Sequence, residues 1–322
     1  MNSLLAVFRF ELKRILTPGR SVWWLMVAAF PVVITLLIRT YIEPQLTRDV
    51  TTKDKVEAQV LELARETLER QEKAFNEGRI TGRQLRTARR TYHQLEREVR
   101  GGGPPVLSPE ELSTMYTVVI YFLAPSIACM LGALLTSAPS VASELEQHSW
   151  TYLATRPNGL FYLVMGKYLV AVLWSSSATI VGVVLSLPFS QILAVTQNGM
   201  ALVGLAVLSS MCYSALYMTI GALFPQRAMI FCVAYTAAVE LGLGSLPVVV
   251  NRLTIQYRLR SLLYYWADAV EIDDPDVLKL IASNEGPMMQ LLWLAALTAV
   301  LLGVALTCVQ VREFTTAAES EV

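Results

Sequence analysis

Six apolar runs, at about 21–39, 113–138, 161–190, 200–224, 227–250 and 287–310, constrain this chain more than anything else in its sequence. Each is near or above the length of about 18 residues at which an apolar stretch reads as a membrane span. In lipid every backbone amide needs an internal partner, so such runs must be helices or strands of a closed barrel. Their length and continuous apolarity select helices. The reading is therefore an all-α, polytopic membrane protein with six transmembrane helices. The first run follows a basic segment (Arg9, Lys13, Arg14, Arg20) but is full span length and ends in "LLIRTYIEP". It has no small-x-small cleavage site and is read as a retained span.

Ahead of that run, "LLAVFRFELKRIL" places Leu5, Phe8, Leu12 and Ile15 on one helical face, with Arg9, Lys13 and Arg14 largely away from it. This pattern predicts an amphipathic helix lying in the interface. Pro18-Gly19 should end it, and Trp23 and Trp24 follow where an interfacial aromatic belt is expected.

Three divisions follow. Residues 1–39 hold the interfacial helix and first span. Residues 40–112 hold a polar insert. Residues 113–322 hold the other spans. The insert is chemically distinct, since 13 of the 26 Lys/Arg residues fall between Arg48 and Arg100. Two helices are expected there, about 53–77 and 82–100, with apolar seams at Leu61, Leu68 and Phe75 and at Leu85, Ala88, Tyr92, Leu95 and Val99. Their opposite charge balance favours an antiparallel hairpin, serving as spacer, docking arm or ligand-binding module. Before the last span, 251–286 is half apolar and reads as a surface loop or as short helices in or dipping into the outer leaflet.

The short loops set orientation. With the N-terminus inside, that side carries Arg9, Lys13, Arg14, Arg20, Arg156, Lys167, Arg227 and Arg312, against Arg252, Arg258, Arg260 and Lys279 outside. Both termini are then cytoplasmic, and the 40–112 hairpin is extracytoplasmic.

Several chemistries find no support. Net charge is zero, which gives no electrostatic case for nucleic acid. Cys129, Cys212, Cys232 and Cys308 all lie in apolar runs at no metal-ligand spacing and read as packing residues. "GLFYLVMGKY" has a Gly-Lys pair but neither the preceding glycine nor the following Ser/Thr of a P-loop. No hydrolase or metalloprotease motif is present. The chain reads as no enzyme, with no cofactor of its own. Lys167 is either a snorkelling lysine or a functional one. Ser175–Ser177 should bond to their own helix carbonyls. Glu240, mid-run, is costly unless paired, protonated or facing water. It is either an intramembrane functional carboxylate, as in an ion-coupled transporter, or a cap for a broken helix near "GLGSLP" (242–247).

The strip "SELEQHSWTYLATRP" (143–157) separates the second and third runs. Ser143 and Glu146 have capping-box spacing, and Pro157-Asn158-Gly159 is a stop signal. A short helix is therefore expected between two spans. Here the sequence resembles the ABC-2 family of export permeases, whose pattern reads approximately Glu-x-Glu-x-Gly-Thr-x-Glu-x-Leu-x-x-x-Pro, followed by a Gly-Lys that opens the next span. Glu144, Glu146, Leu153, Pro157 and Gly166-Lys167 match, and Ser149 stands for the threonine. His148 and Thr151 depart from the pattern. The resemblance implies a membrane subunit that pairs with a second permease copy or paralogue and with a cytoplasmic ABC ATPase, where ATP and Mg are held. It implies a multi-pass protein of the cell membrane, and a coupling helix in which Glu144, Glu146, Trp150, Tyr152 and Arg156 meet the ATPase. The alternative for Trp150 is a place in the headgroup layer. A membrane scaffold that recruits partners through the hairpin is the alternative.

Overall fold

The computed structural model describes residues 2–15, 17–46, 61–71, 73, 109–147, 158–242, 254–267 and 286–319. Every regular element among them is helical. The chain divides into two compact units, one of Met1–Leu37 with Pro109–Val322 and one of Ile38–Ser108.

The larger unit is a helical bundle. Helix α1 (Asn2–Ile15) is followed by α2 (Pro18–Leu37), which has Pro18 at its first position, where a missing N–H costs nothing. Next come α3 (Pro109–Tyr121), a wide turn of π geometry (Phe122–Ala128) and α4 (Cys129–Gln147). Pro125 lies inside the π turn. A proline cannot donate to the helix ladder, and a local widening is one way to absorb that loss. The Pro125 carbonyl accepts from Ser209 Oγ on a neighbouring helix.

Then follow α5 (Gly159–Ser186), α6 (Val195–Leu223), α7 (Ala228–Tyr235) running into a second π segment (Thr236–Gly242), α8 (Ile255–Trp266) and α9 (Pro287–Glu319). Among the described residues, five helical stretches are long and apolar enough to cross a membrane: Pro18–Ile42, Glu111–Val141, Gly159–Phe189, Val195–Leu223 and Pro287–Val311. They match five of the six expected spans. The remaining one, 227–250, is described only to Gly242. There it has eight α-helical residues and seven in π geometry, about 20 Å of rise. That is short of a hydrocarbon core of about 30 Å.

Helix α6 is the axis of the bundle and packs against α4, α5, α8 and α9. It is apolar on most sides, as suits a membrane span with most of its surface packed against other helices. Within lipid, close van der Waals packing replaces the hydrophobic effect as the force between helices. The α4–α6 crossing illustrates it. A Cβ added at Gly221 would sit 2.6 Å from the Ala138 carbonyl oxygen, so only glycine fits there. The cysteines act as small packing residues: Cys129, Cys212 and Cys232 are buried and Cys308 partly so, all as free thiols. Ser175, Ser176 and Ser177 donate to the carbonyls of Val172, Leu173 and Trp174, as expected of serines in a span.

One core cluster fixes which helix ends lie together. Val141 of α4, Leu160 and Val164 of α5, Ala222 of α6 and Val309 of α9 pack in one group, with Val7 of α1 against it. The C-terminal ends of α4, α6 and α9, the start of α5 and helix α1 therefore share one end of the bundle.

In the smaller unit, 61–71 is helical, with Arg65–Glu69 and Glu66–Arg70 pairs at i,i+4 spacing. Leu61, Ala64 and Leu68 form its least exposed stripe, which includes two of the expected seam positions. The expected second arm, 82–100, lies outside the described residues.

Candidate functional site

Two polar constructions stand out. The first joins α1 to α5. The lysine of the Gly166-Lys167 pair is buried, and its Nζ lies 3.1 Å from Glu11 Oε1, with side chains 3% and 9% exposed. Lys167 does not snorkel. Arg14 approaches the same carboxylate oxygen at 3.8 Å. Gly166 supplies the close approach that makes the pair possible, since a Cβ there would lie 2.7 Å from Val7 Cγ1. Phe8 and Leu12 extend the contact onto Val170 and Trp174, and Trp24 Nε1 donates to Ser177 Oγ at 3.1 Å. The face of α1 that meets the bundle is thus Val7, Phe8, Glu11 and Leu12. Leu5, expected on that face, is 49% exposed. Glu11 was not singled out in the sequence. The signal was there, an acid between Phe8 and Leu12 on the apolar side of an otherwise basic helix.

The second construction surrounds Glu240, which is 2% exposed. Its carboxylate accepts from Ile255 N at 3.3 Å, Gln256 N at 3.1 Å and Tyr213 Oη at 3.0 Å. Both amides belong to the first turn of α8. Thr254 is the N-cap of that helix and accepts from Tyr257 N at 3.2 Å. Glu240 therefore accepts from the first amides of a helix. That helix is α8, while 243–247 lies outside the described residues. A carboxylate at a helix N-terminus meets orphan N–H groups and the positive end of the helix dipole, which offsets its removal from water.

The network continues outward from that cap. The Tyr121 hydroxyl lies 3.2 Å from Gln256 Oε1, and Gln256 Nε2 donates to Ser126 Oγ in the π turn. Arg258 donates to Gln290 Oε1 at 2.8 Å and lies 5.2 Å from the centre of the Trp293 ring. With Gln256, Arg258 and Ser261 all buried, α8 is packed into the bundle. Arg258, counted among outer-loop charges, is an interior residue.

Between these constructions and the sequence motif stands the 143–157 strip. Helix α4 runs unbroken through Ser143 to Gln147, so Ser143 does not begin a new helix and the capping-box reading is overturned. The physical reason is cooperativity. Extending an existing helix adds one hydrogen bond per residue, whereas ending it strands carbonyls and requires a fresh nucleus. Glu144 and Glu146 lie on this extension, beyond the apolar window that closes at Val141. Trp150, Tyr152 and Arg156 lie outside the described residues. At the far end of the strip Asn158 takes a left-handed conformation (φ 60°) and α5 starts at Gly159. Asparagine is among the few residues that accept that geometry readily.

The sequence profile described as ABC-2 family transporter protein matches residues 5–264. The chain belongs to the ABC-2 transporter family. No curated protein and no solved structure matches it. The match to this ABC-2 chain begins in α1 and ends in α8, so it encloses both polar constructions and the strip. It establishes a multi-pass permease of the ABC transporter type. Among the described residues, no three His, Cys, Asp or Glu side chains are grouped to hold a metal ion.

Proposed function

We propose that this permease is the membrane subunit of an ATP-driven exporter. A separate cytoplasmic ATPase binds the 143–157 strip, and a second permease copy or paralogue completes the pore. The observation that carries this reading is how the two described flanks of the strip are built into the bundle. Its first residues are the last turn of α4, and its end leads directly into α5. Eight residues into α5, Lys167 ties that helix to α1 through Glu11. In this reading a push on the strip by the ATPase reaches α4 at one flank and, at the other, α5 and through the Glu11–Lys167 pair α1. ATP and Mg would be held by the partner, because this chain carries no P-loop.

The helix directions support six crossings. Helix α7 leaves the end of the bundle where α6 finishes and climbs back along it, with Thr236 beside Tyr217 and Glu240 beside Tyr213. Helix α9 descends parallel to α6, with Thr298 beside Cys212 and Leu301 beside Thr219. In this reading the chain rises once more between them, with α7 and the capped α8 as the described parts of the sixth crossing. Both termini then lie on one face, which the charge count makes cytoplasmic, with the 40–112 insert outside.

Glu144→Lys and Trp150→Ala are the deciding variants. Each should insert and fold, yet lose ATPase co-purification in mild detergent or lose substrate-dependent ATP hydrolysis. Normal association and transport in both would remove the coupling role from these residues.

A further inference from the structure

A small cavity opens beside the α1–α5 clamp, and its lining is unbalanced in charge. It has a volume of about 130 Å³ and lies where α1, the start of α2, α4 and α5 meet. Arg14, Arg20 and Lys167 line it, against one carboxylate, Glu11. Thr136 and Ser140 also face it, but their hydroxyl protons are committed to the Gly132 and Ser137 carbonyls of their own helix. An anion in the cavity would therefore be held by the three cations. Two are guanidinium groups, whose planar forks match phosphate oxygens better than a point charge does. The third, Lys167, is an ammonium already buried, so its desolvation precedes any binding.

The surroundings indicate where that phosphate would come from. Arg20 is in the first turn of α2, and Trp23, three residues on, is 52% exposed. Val22 and Leu25 beside it are exposed too, as is Phe10 of α1. A soluble anion has no use for this apolar surround, whereas acyl chains do. We infer that the cavity binds the phosphate of an anionic phospholipid, taken from the leaflet that holds α1. Tied to Arg14 of α1, Arg20 of α2 and Lys167 of α5, the lipid would act as a third member of the Glu11–Lys167 clamp. The inference stands apart from the transport reading, since it concerns only how the surface helix is fastened.

Native mass spectrometry of the full-length protein, released from micelles doped with phosphatidylglycerol or phosphatidylcholine, tests it. The wild type should retain phosphatidylglycerol preferentially. The double variant Arg14→Gln/Arg20→Gln should weaken that retention by about 30-fold, from the typical contribution of a basic residue near an anionic headgroup. Arg9→Gln/Lys13→Gln removes the same charge from the exposed side of α1, where only diffuse attraction is lost, and should cost clearly less than the first pair. Should the first double variant fail to fold, Arg20→Gln alone, on an exposed side chain, should lose about fivefold. Equal losses in the two pairs would reduce the site to diffuse attraction and overturn the proposal. So would equal retention of the two lipids. Displacement of the lipid by millimolar inorganic phosphate alone would mark a soluble-anion site and overturn the lipid assignment.

Discussion

Replacing Lys167 with methionine nearly keeps the volume of the side chain, shortens it by one atom and removes its charge and its hydrogen-bond donors. The Nζ–Oε1 distance of 3.1 Å corresponds to a direct attraction of about 5 kcal/mol at an effective dielectric constant of about 20. Desolvation of both groups offsets much of that, so the net worth of the pair is small, while breaking it leaves a buried carboxylate behind. Breaking buried pairs typically costs about 3–5 kcal/mol. Arg14, at 3.8 Å from the same oxygen, retains part of the stabilisation of Glu11 and places Lys167→Met near about 3 kcal/mol, the low end of that range. The double variant Glu11→Leu/Lys167→Met removes both charges and fills the space with apolar atoms. It should recover most of the loss, as apolar replacements of buried pairs generally do. Equilibrium unfolding in mixed micelles, followed by helicity, measures all three proteins. A coupling energy of at least about 1.5 kcal/mol between the two positions is expected. Additive losses, or a Lys167→Met protein as stable as wild type, would show that the two side chains do not sustain each other and would dissolve the clamp.

Glu240→Ala should cost about 1–3 kcal/mol by orphaning the first amides of α8, with Glu240→Gln milder because its carbonyl oxygen still accepts; the same unfolding assay reads both. An unchanged Glu240→Ala protein would refute the cap. Gly221→Ala meets a backbone oxygen at 2.6 Å that cannot rotate away and should destabilise by about 1–3 kcal/mol, whereas Gly303→Ala, with nothing within 4 Å, should be neutral or gain up to about 1 kcal/mol from helix propensity. Comparable effects at the two glycines would contradict the packing at the α4–α6 crossing. A cysteine introduced at Gly78 should react with an impermeant maleimide on intact cells; labelling only after lysis would reverse the orientation.

What the sequence decided and what it left to the fold divide along physical lines. Apolar length selects a helix without reference to neighbours, because a span must satisfy its own amides in lipid. For that reason five of the six runs were legible as crossings, and so was the break at Pro18. The family motif was legible as well, through Glu144, Glu146, Pro157 and Gly166-Lys167. Partner choice was not. Lys167 looked like a residue that reaches for water, and only the crossing of α1 over Gly166 shows that Glu11 meets it first. Glu240 could be named as costly, but not matched to amides 15 and 16 residues further on. The run at 227–250 looked like its neighbours because hydropathy averages over a window. Whether such a window stays straight depends on what packs beside it, and its described part passes into a π segment by Gly242. Ser143 and Glu146 had the spacing of a helix start, yet spacing cannot tell a first turn from the continuation of a helix already formed. Periodicity and length are properties of one segment and can be read from it. Ion pairs, caps and close approaches join segments distant in the chain, and only the tertiary structure brings them together.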